Sequence, residues 1–244
     1  MTAEDTRKRL RELEDPEKAK ILQRFFKTGP GEYGEGDLFL GIPVPQLRKV
    51  SKEGGAMAMG EVEALLKSSV HEERLLALLI LIRKYNEEDD SGRKSIYTLY
   101  LKSTRWINNW DLVDLSAPNI VGDFLMRRSR KPLYNLAHSP ALWERRVAIL
   151  ATFRFIKERQ FHDTLGISEI LLQDKEDLIQ KAVGWMLREV GKRDLHAEEG
   201  FLKAHCRQMP RTMLRYAIER FPAAKRQLFM EGRIEGSREK TPKP

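Results

Sequence analysis

A chain of 244 residues is long enough for one large domain or two small ones, and 41% hydrophobic with 33% charged residues is the composition of a protein with a real core. Met1 to Leu10 is charged rather than apolar, and the longest uncharged apolar run, Leu75 to Ile82, is far too short to cross a bilayer, so a cytoplasmic location is expected. The lone Cys206 excludes an internal disulfide. His71, His138, His162, His196 and His205 show no metal-ligand spacing, so neither a metal nor another cofactor is expected.

The net charge of +8 is unevenly spread: residues 1–100 hold 17 Lys+Arg against 18 Asp+Glu, and residues 101–244 hold 27 against 18. A basic half of this kind suits a polyanion, because neutralising phosphates releases counterions without any reading of sequence. Solubility alone accounts for the same composition equally well.

Segments rich in Leu, Ala, Glu, Lys and Arg recur at helical spacing and none alternates as a strand does, so the chain is expected to be all α. Residues 2–14 and 16–27 read as two helices, with Asp15 as a cap and Pro16 at the first helical position. The following Gly29-Pro-Gly-Glu-Tyr-Gly-Glu-Gly36 fits a dinucleotide fingerprint by letter only. A strand should precede such a motif and a helix should open on its last glycine, so a flexible surface loop is expected instead. Leu38 to Pro45 brings the chain back into the body, and Pro45 starts a helix.

From residue 59 the helices come in pairs. Arg74–Leu78, Trp110–Asp114, Arg146–Leu150, Lys181–Trp185 and Thr212–Tyr216 fall into one register, at offsets of 36, 36, 35 and 31 residues. That period suits a HEAT-like α-solenoid. The stretch Trp106 to Pro118 stands out within it. Trp110 and Asp114, four residues apart on a helix capped by Asn108 or Asn109, share one face, and Pro118 should kink or restart that helix. Asp111 reads as a first-turn acid favouring the helix dipole. In the common register Arg146 and Lys181 are equivalent to Trp110, Trp185 is equivalent to Asp114, and Arg145 and Tyr216 lie close by. A concave, partly basic wall with two indoles and one carboxylate could cradle nucleic acid, and both tryptophans could equally be core residues. The end of the chain, from Arg207 to Arg226, is strongly basic. A single domain over 1–231 with a disordered tail over 232–244 is expected.

Three blocks in order carry a resemblance: Trp110-Asp-Leu-Val-Asp114 followed by Ser116-Ala-Pro118 and Gly122-Asp123; Trp143-Glu-Arg-Arg-Val-Ala-Ile-Leu150; and Gln180-Lys-Ala-Val-Gly-Trp-Met-Leu-Arg-Glu189. The chain resembles, from about Pro16 to Phe229, the AlkD family of alkylpurine DNA glycosylases, which are built of HEAT-like repeats. The resemblance implies Trp110, Asp114, Arg146 and Trp185 as functional residues, and places Phe25 where some relatives have a tyrosine. Arg188 and Glu189 read as a structural polar pair. The implied activity is hydrolysis of the N-glycosidic bond of N3- and N7-alkylated purines in duplex DNA, without base flipping. Asp114 would stabilise the sugar cation, with Trp110 and Trp185 packed against it. Arg146, Arg145, Lys181 and Phe25 would contact DNA. No desolvated lysine suggests a lyase step, so a monofunctional, monomeric enzyme is expected. The alternative is a non-catalytic helical-repeat protein that binds DNA or a protein partner.

Overall fold

The computed structural model describes residues 1–233, and contacts group them into two compact units, Met1–Phe124 and the residues from Leu125 onward. Residues 234–244, most of the expected tail, lie outside the described residues. Gly232, placed in that tail by sequence, caps the last helix with φ +68°. Among the described residues the structure is helical throughout, with one isolated parallel bridge, Leu38 to Val70. The all-α helical-repeat fold is therefore the one expected from the sequence.

In the first unit, α1 (Ala3–Arg11) opens with a reciprocal cap between Thr2 and Asp5. Asp15 caps α2 (Pro16–Phe25) by accepting from the Lys18 amide, with Pro16 leading as expected. Both helices end sooner than their apolar spacing suggests. α3 (Val44–Glu53), α4 (Met59–Leu66), α5 (His71–Glu87), α6 (Asp90–Lys102) and α7 (Trp110–Ala117) follow. α5 packs against α3, α4, α6 and α7 and forms the centre of this unit. Its Leu75–Leu81 is buried on every side, which is why that run is continuously apolar. After α7 the proline acts as expected: lacking an N–H, Pro118 begins a π turn, Pro118–Gly122, and Asn119 Nδ2 caps the Leu115 carbonyl at 2.7 Å. The boundary between units falls in the short α8 (Asp123–Leu125).

The second unit contains α9 (Lys131–Ala137), α10 (Leu142–Ala151), α11 (Phe153–Lys157), α12 (His162–Ile170), α13 (Asp177–Gly191), α14 (Leu195–His205), α15 (Arg211–Ala217) and α16 (Ala223–Glu231). Here α10 packs on α13 and α13 on α15, so successive members of the repeat register are neighbours, as α5 and α7 are in the first unit.

After the glycine-rich loop, the chain from Leu38 returns to the body of the first unit, as its apolar residues suggest. The Leu38 amide donates to the Ser69 carbonyl at 3.0 Å, and the His71 amide returns a bond to Leu38 at 2.8 Å. The Leu40, Gly41 and Ile42 amides all donate to the buried Glu72 carboxylate. Gly41 sits at φ +80°, where a Cβ would lie 2.2 Å from the Asp15 carbonyl oxygen, so only glycine lets the segment pass so close to α2. These bonds bring Phe39 onto Phe26, beneath the start of α7.

Candidate functional site

α7 begins at Trp110 because Asn109 is buried and extended and its Oδ1 accepts from the Trp110 amide at 2.8 Å. The indole is half-buried and lies flat on Phe26, with centroids 5.2 Å apart and planes 18° apart. Phe25 meets it edge-on at 5.9 Å while remaining 60% exposed. Phe26 in turn stacks on Phe39. Trp110 thus rests on an apolar cluster without being enclosed by it. Asp114, one turn further along α7, is also half-buried, so indole and carboxylate share one helix face at the surface of the first unit.

Asp111 does more than favour the helix dipole. Its Oδ2 lies 2.8 Å from Nε2 of His71, whose Nδ1 faces Asp37 Oδ2 at 3.3 Å, and Arg74 reaches the same Asp37 oxygen at 2.7 Å. Burial acts to lower the His71 pKa, but hydrogen bonds to Asp111 and Asp37 outweigh it and hold the imidazole above its ordinary value. For Asp37, burial is overcome by His71 and Arg74, which hold the carboxyl below the usual carboxylate range. This cluster escaped sequence reasoning because its partners stand 34 and 40 residues from His71. A signal was nevertheless present. His71-Glu72-Glu73-Arg74 are four consecutive polar residues at the head of the longest apolar run, and all are at most 3% exposed. Buried charges require partners, which Asp37, Asp111, the loop amides and Arg7 supply.

In the second unit, Arg146 is only 5% exposed and donates through Nη1 to the Leu178 carbonyl, joining α10 to α13. Arg145 donates to Asp174 Oδ2 at 2.7 Å and to the Ser139 and Pro140 carbonyls, so much of its guanidinium is used within the fold. Lys181 is partly exposed and pairs with Asp177 on its own helix. Trp185 is half-buried, donates Nε1–H to Glu189 Oε1 at 3.2 Å and leans on Phe153. Arg188 and Glu189 do not pair with each other: Arg188 pairs with Glu219, and Glu189 with Lys192 and Arg193. Among the described residues no group of three or more His, Cys, Asp or Glu side chains could hold a metal ion, and no helix is long and apolar enough to cross a membrane.

The chain is thus an all-α helical-repeat protein with an indole and a carboxylate on one face at the surface of its first unit and a net-basic second unit. The family model for DNA alkylation repair enzymes matches residues 6–221, and the chain belongs to that family. It is similar in fold to the solved structure of a predicted DNA alkylation repair enzyme from Enterococcus faecalis, with a TM-score of 0.67 and 18% identity over 86% of this chain and 97% of that one. No curated protein matches the chain.

Proposed function

We propose that this protein is a monofunctional DNA glycosylase that hydrolyses the N-glycosidic bond of cationic N3- and N7-alkylated purines in duplex DNA, acting as a monomer and without flipping the base. The observation that carries this reading is the pairing of a half-buried carboxylate, Asp114, with a half-buried indole, Trp110, one helical turn apart, the indole braced from below by Phe26.

The chemistry of the substrate explains why so small a site suffices. An alkylated purine already carries positive charge and leaves C1′ as a neutral base, so no general acid is needed. What grows in the transition state is positive charge on the deoxyribose. A carboxylate about 4 Å away attracts a unit charge by about 4 kcal/mol at an effective dielectric near 20, and it can also orient the attacking water. Asp114 takes that role. The face of Trp110 adds a cation–π contribution of about 0.5–2 kcal/mol and keeps bulk water away, and Trp185 is proposed as a further aromatic contact to the DNA. Phe25, without a hydroxyl, offers the sugar an apolar edge beside Trp110. Arg146, Arg145 and Lys181 serve as contacts to backbone phosphates.

The test is Asp114→Asn on a duplex carrying one 7-methylguanine. This change preserves size while removing charge. Binding should persist while the single-turnover excision rate falls by roughly 10² to 10³. Equal excision rates for the two proteins would sink the mechanism. Tighter binding with unchanged excision would make Asp114 a ground-state DNA contact instead.

A further inference from the structure

If the reaction runs as proposed above, it depends on where the first turn of α7 points, and that turn is fastened from inside. We propose that His71 is a positioning residue for Trp110 and Asp114: its imidazolium, clamped between Asp37 and Asp111, fixes the first turn of α7 and the aromatic stack on which the Trp110 indole rests.

Carboxylates only accept hydrogen bonds, so an imidazole facing one from each ring nitrogen must carry both protons to satisfy both. The distances are 2.8 Å to Asp111 and 3.3 Å to Asp37. The charged groups facing the ring come from each element packed on it: Arg74 from α5, Asp37 from the segment before α3, and Asp111 from α7. With His71 protonated, two cations balance two anions in a buried space. Loss of the proton leaves one carboxylate facing a ring lone pair and an uncompensated negative charge.

Two routes lead from His71 to the indole. Asp111 is the residue after Trp110, so the Nε2 bond holds the backbone from which the indole springs. The ring also lies 4.9 Å from Phe26 and 4.6 Å from Phe39, and Phe26 is the surface on which Trp110 stacks. Releasing the clamp therefore loosens the helix start and its support together.

The experiment uses the full chain and the same 7-methylguanine duplex. His71→Gln retains an amide donor but cannot bridge two carboxylates or continue the ring stack. The single-turnover rate should fall about 10²-fold, the loss that accompanies a misplacement on the order of 1 Å, while the Kd for the duplex stays unchanged. Because the His71 pKa is raised, the clamp is complete at low pH and is lost as pH rises through the folded-state value. The wild-type rate should decline on that limb, and His71→Gln should lack it. A variant with the wild-type rate and the wild-type limb overturns the assignment. Should His71→Gln fail to fold, Asp111→Asn, which weakens the same bond from the other side, is read in the same way. A readout independent of catalysis is Trp110 emission, taken as the difference from a Trp110→Phe protein. It should titrate with the clamp in the wild type and be insensitive to pH in His71→Gln. Invariant wild-type emission overturns the proposal. Titrating emission in a protein that excises no alkylpurine supports the clamp and removes the glycosylase reading alone.

Discussion

Glu72 and Glu198 are both about 2% exposed, yet the fold uses them in opposite ways. Glu72 accepts from three consecutive amides, Leu40, Gly41 and Ile42, and so holds the segment carrying Phe39 under Trp110. Glu72→Ala strips buried donors of their only charged acceptor and should cost about 3 kcal/mol, read from urea unfolding, with faster proteolysis between α2 and α3. Glu198 has no such partners: its Oε1 is unbonded, and its carboxyl lies against Gly191, filling the space where a Cβ would be. Burial, with Glu199 beside it, pushes its pKa from 4.5 up to about 8. The native state therefore keeps a proton that the unfolded chain has lost. Stability is highest below the unfolded value and falls as pH rises through the folded one. Glu198→Gln, neutral at every pH, should flatten that decline and raise stability near pH 8 by on the order of 2 kcal/mol, measured as a melting series against pH. An identical pH slope in the variant would show that Glu198 is ionised in the native state. Sequence could not separate these two glutamates, because what distinguishes them is the company each keeps across the fold.

At the scale of elements, most of what the sequence implied was local and survived because local chemistry decides it. Asp15 with Pro16 and Asn109 before Trp110 start helices wherever the rest of the chain lies, and the start of α7 placed Trp110 and Asp114 on one face without tertiary information. The segment after the glycine-rich loop shows the complementary case: Leu38 to Ile42 returns to the body as its apolar residues suggest, but the groups that hold it, Ser69 and Glu72, lie far along the chain and are not legible locally. Glycines show the same division. Gly184 in α13 and Gly200 in α14 look alike in sequence, as helical positions where alanine has the better propensity. A Cβ on Gly184 would lie 2.4 Å from the Met213 carbonyl oxygen and 2.5 Å from Tyr216 Cβ, whereas one on Gly200 would meet nothing within 4 Å. Gly184→Ala must push α15 away from α13 and should destabilise by about 1–3 kcal/mol despite the propensity gain. Gly200→Ala should stabilise by about 0.5–1 kcal/mol. Thermal unfolding of the pair checks both, and equal shifts would mean that α13 and α15 are not in close contact in solution.

For the whole molecule the deciding quantity is where charge lies. Residues 1–124 hold 19 Lys+Arg against 21 Asp+Glu, a net of −2, and residues 125–244 hold 25 against 15, a net of +10. Phosphate binding is then expected to draw on the second unit, and the salt dependence of DNA affinity measures it, since each neutralised phosphate contributes about 0.9 to the slope of log K against log salt. Arg146 is the critical case, because its sequence register suggested a phosphate contact while its burial and its bond to Leu178 show a structural duty. The two roles leave different signatures. Arg146→Ala should destabilise the fold by about 1–3 kcal/mol through loss of the buried bond that joins α10 to α13. If Arg146 also meets phosphate, the variant measured well below its melting temperature should bind unrelated duplexes about equally more weakly, with a slope flatter by about one. Lys94→Gln, at an exposed position of the net-acidic first unit, is the comparison and should leave the slope unchanged. A destabilised Arg146→Ala protein with an unaltered slope would confine Arg146 to holding α10 on α13, and would leave Arg145 and Lys181 as the phosphate contacts to be tested in the same way.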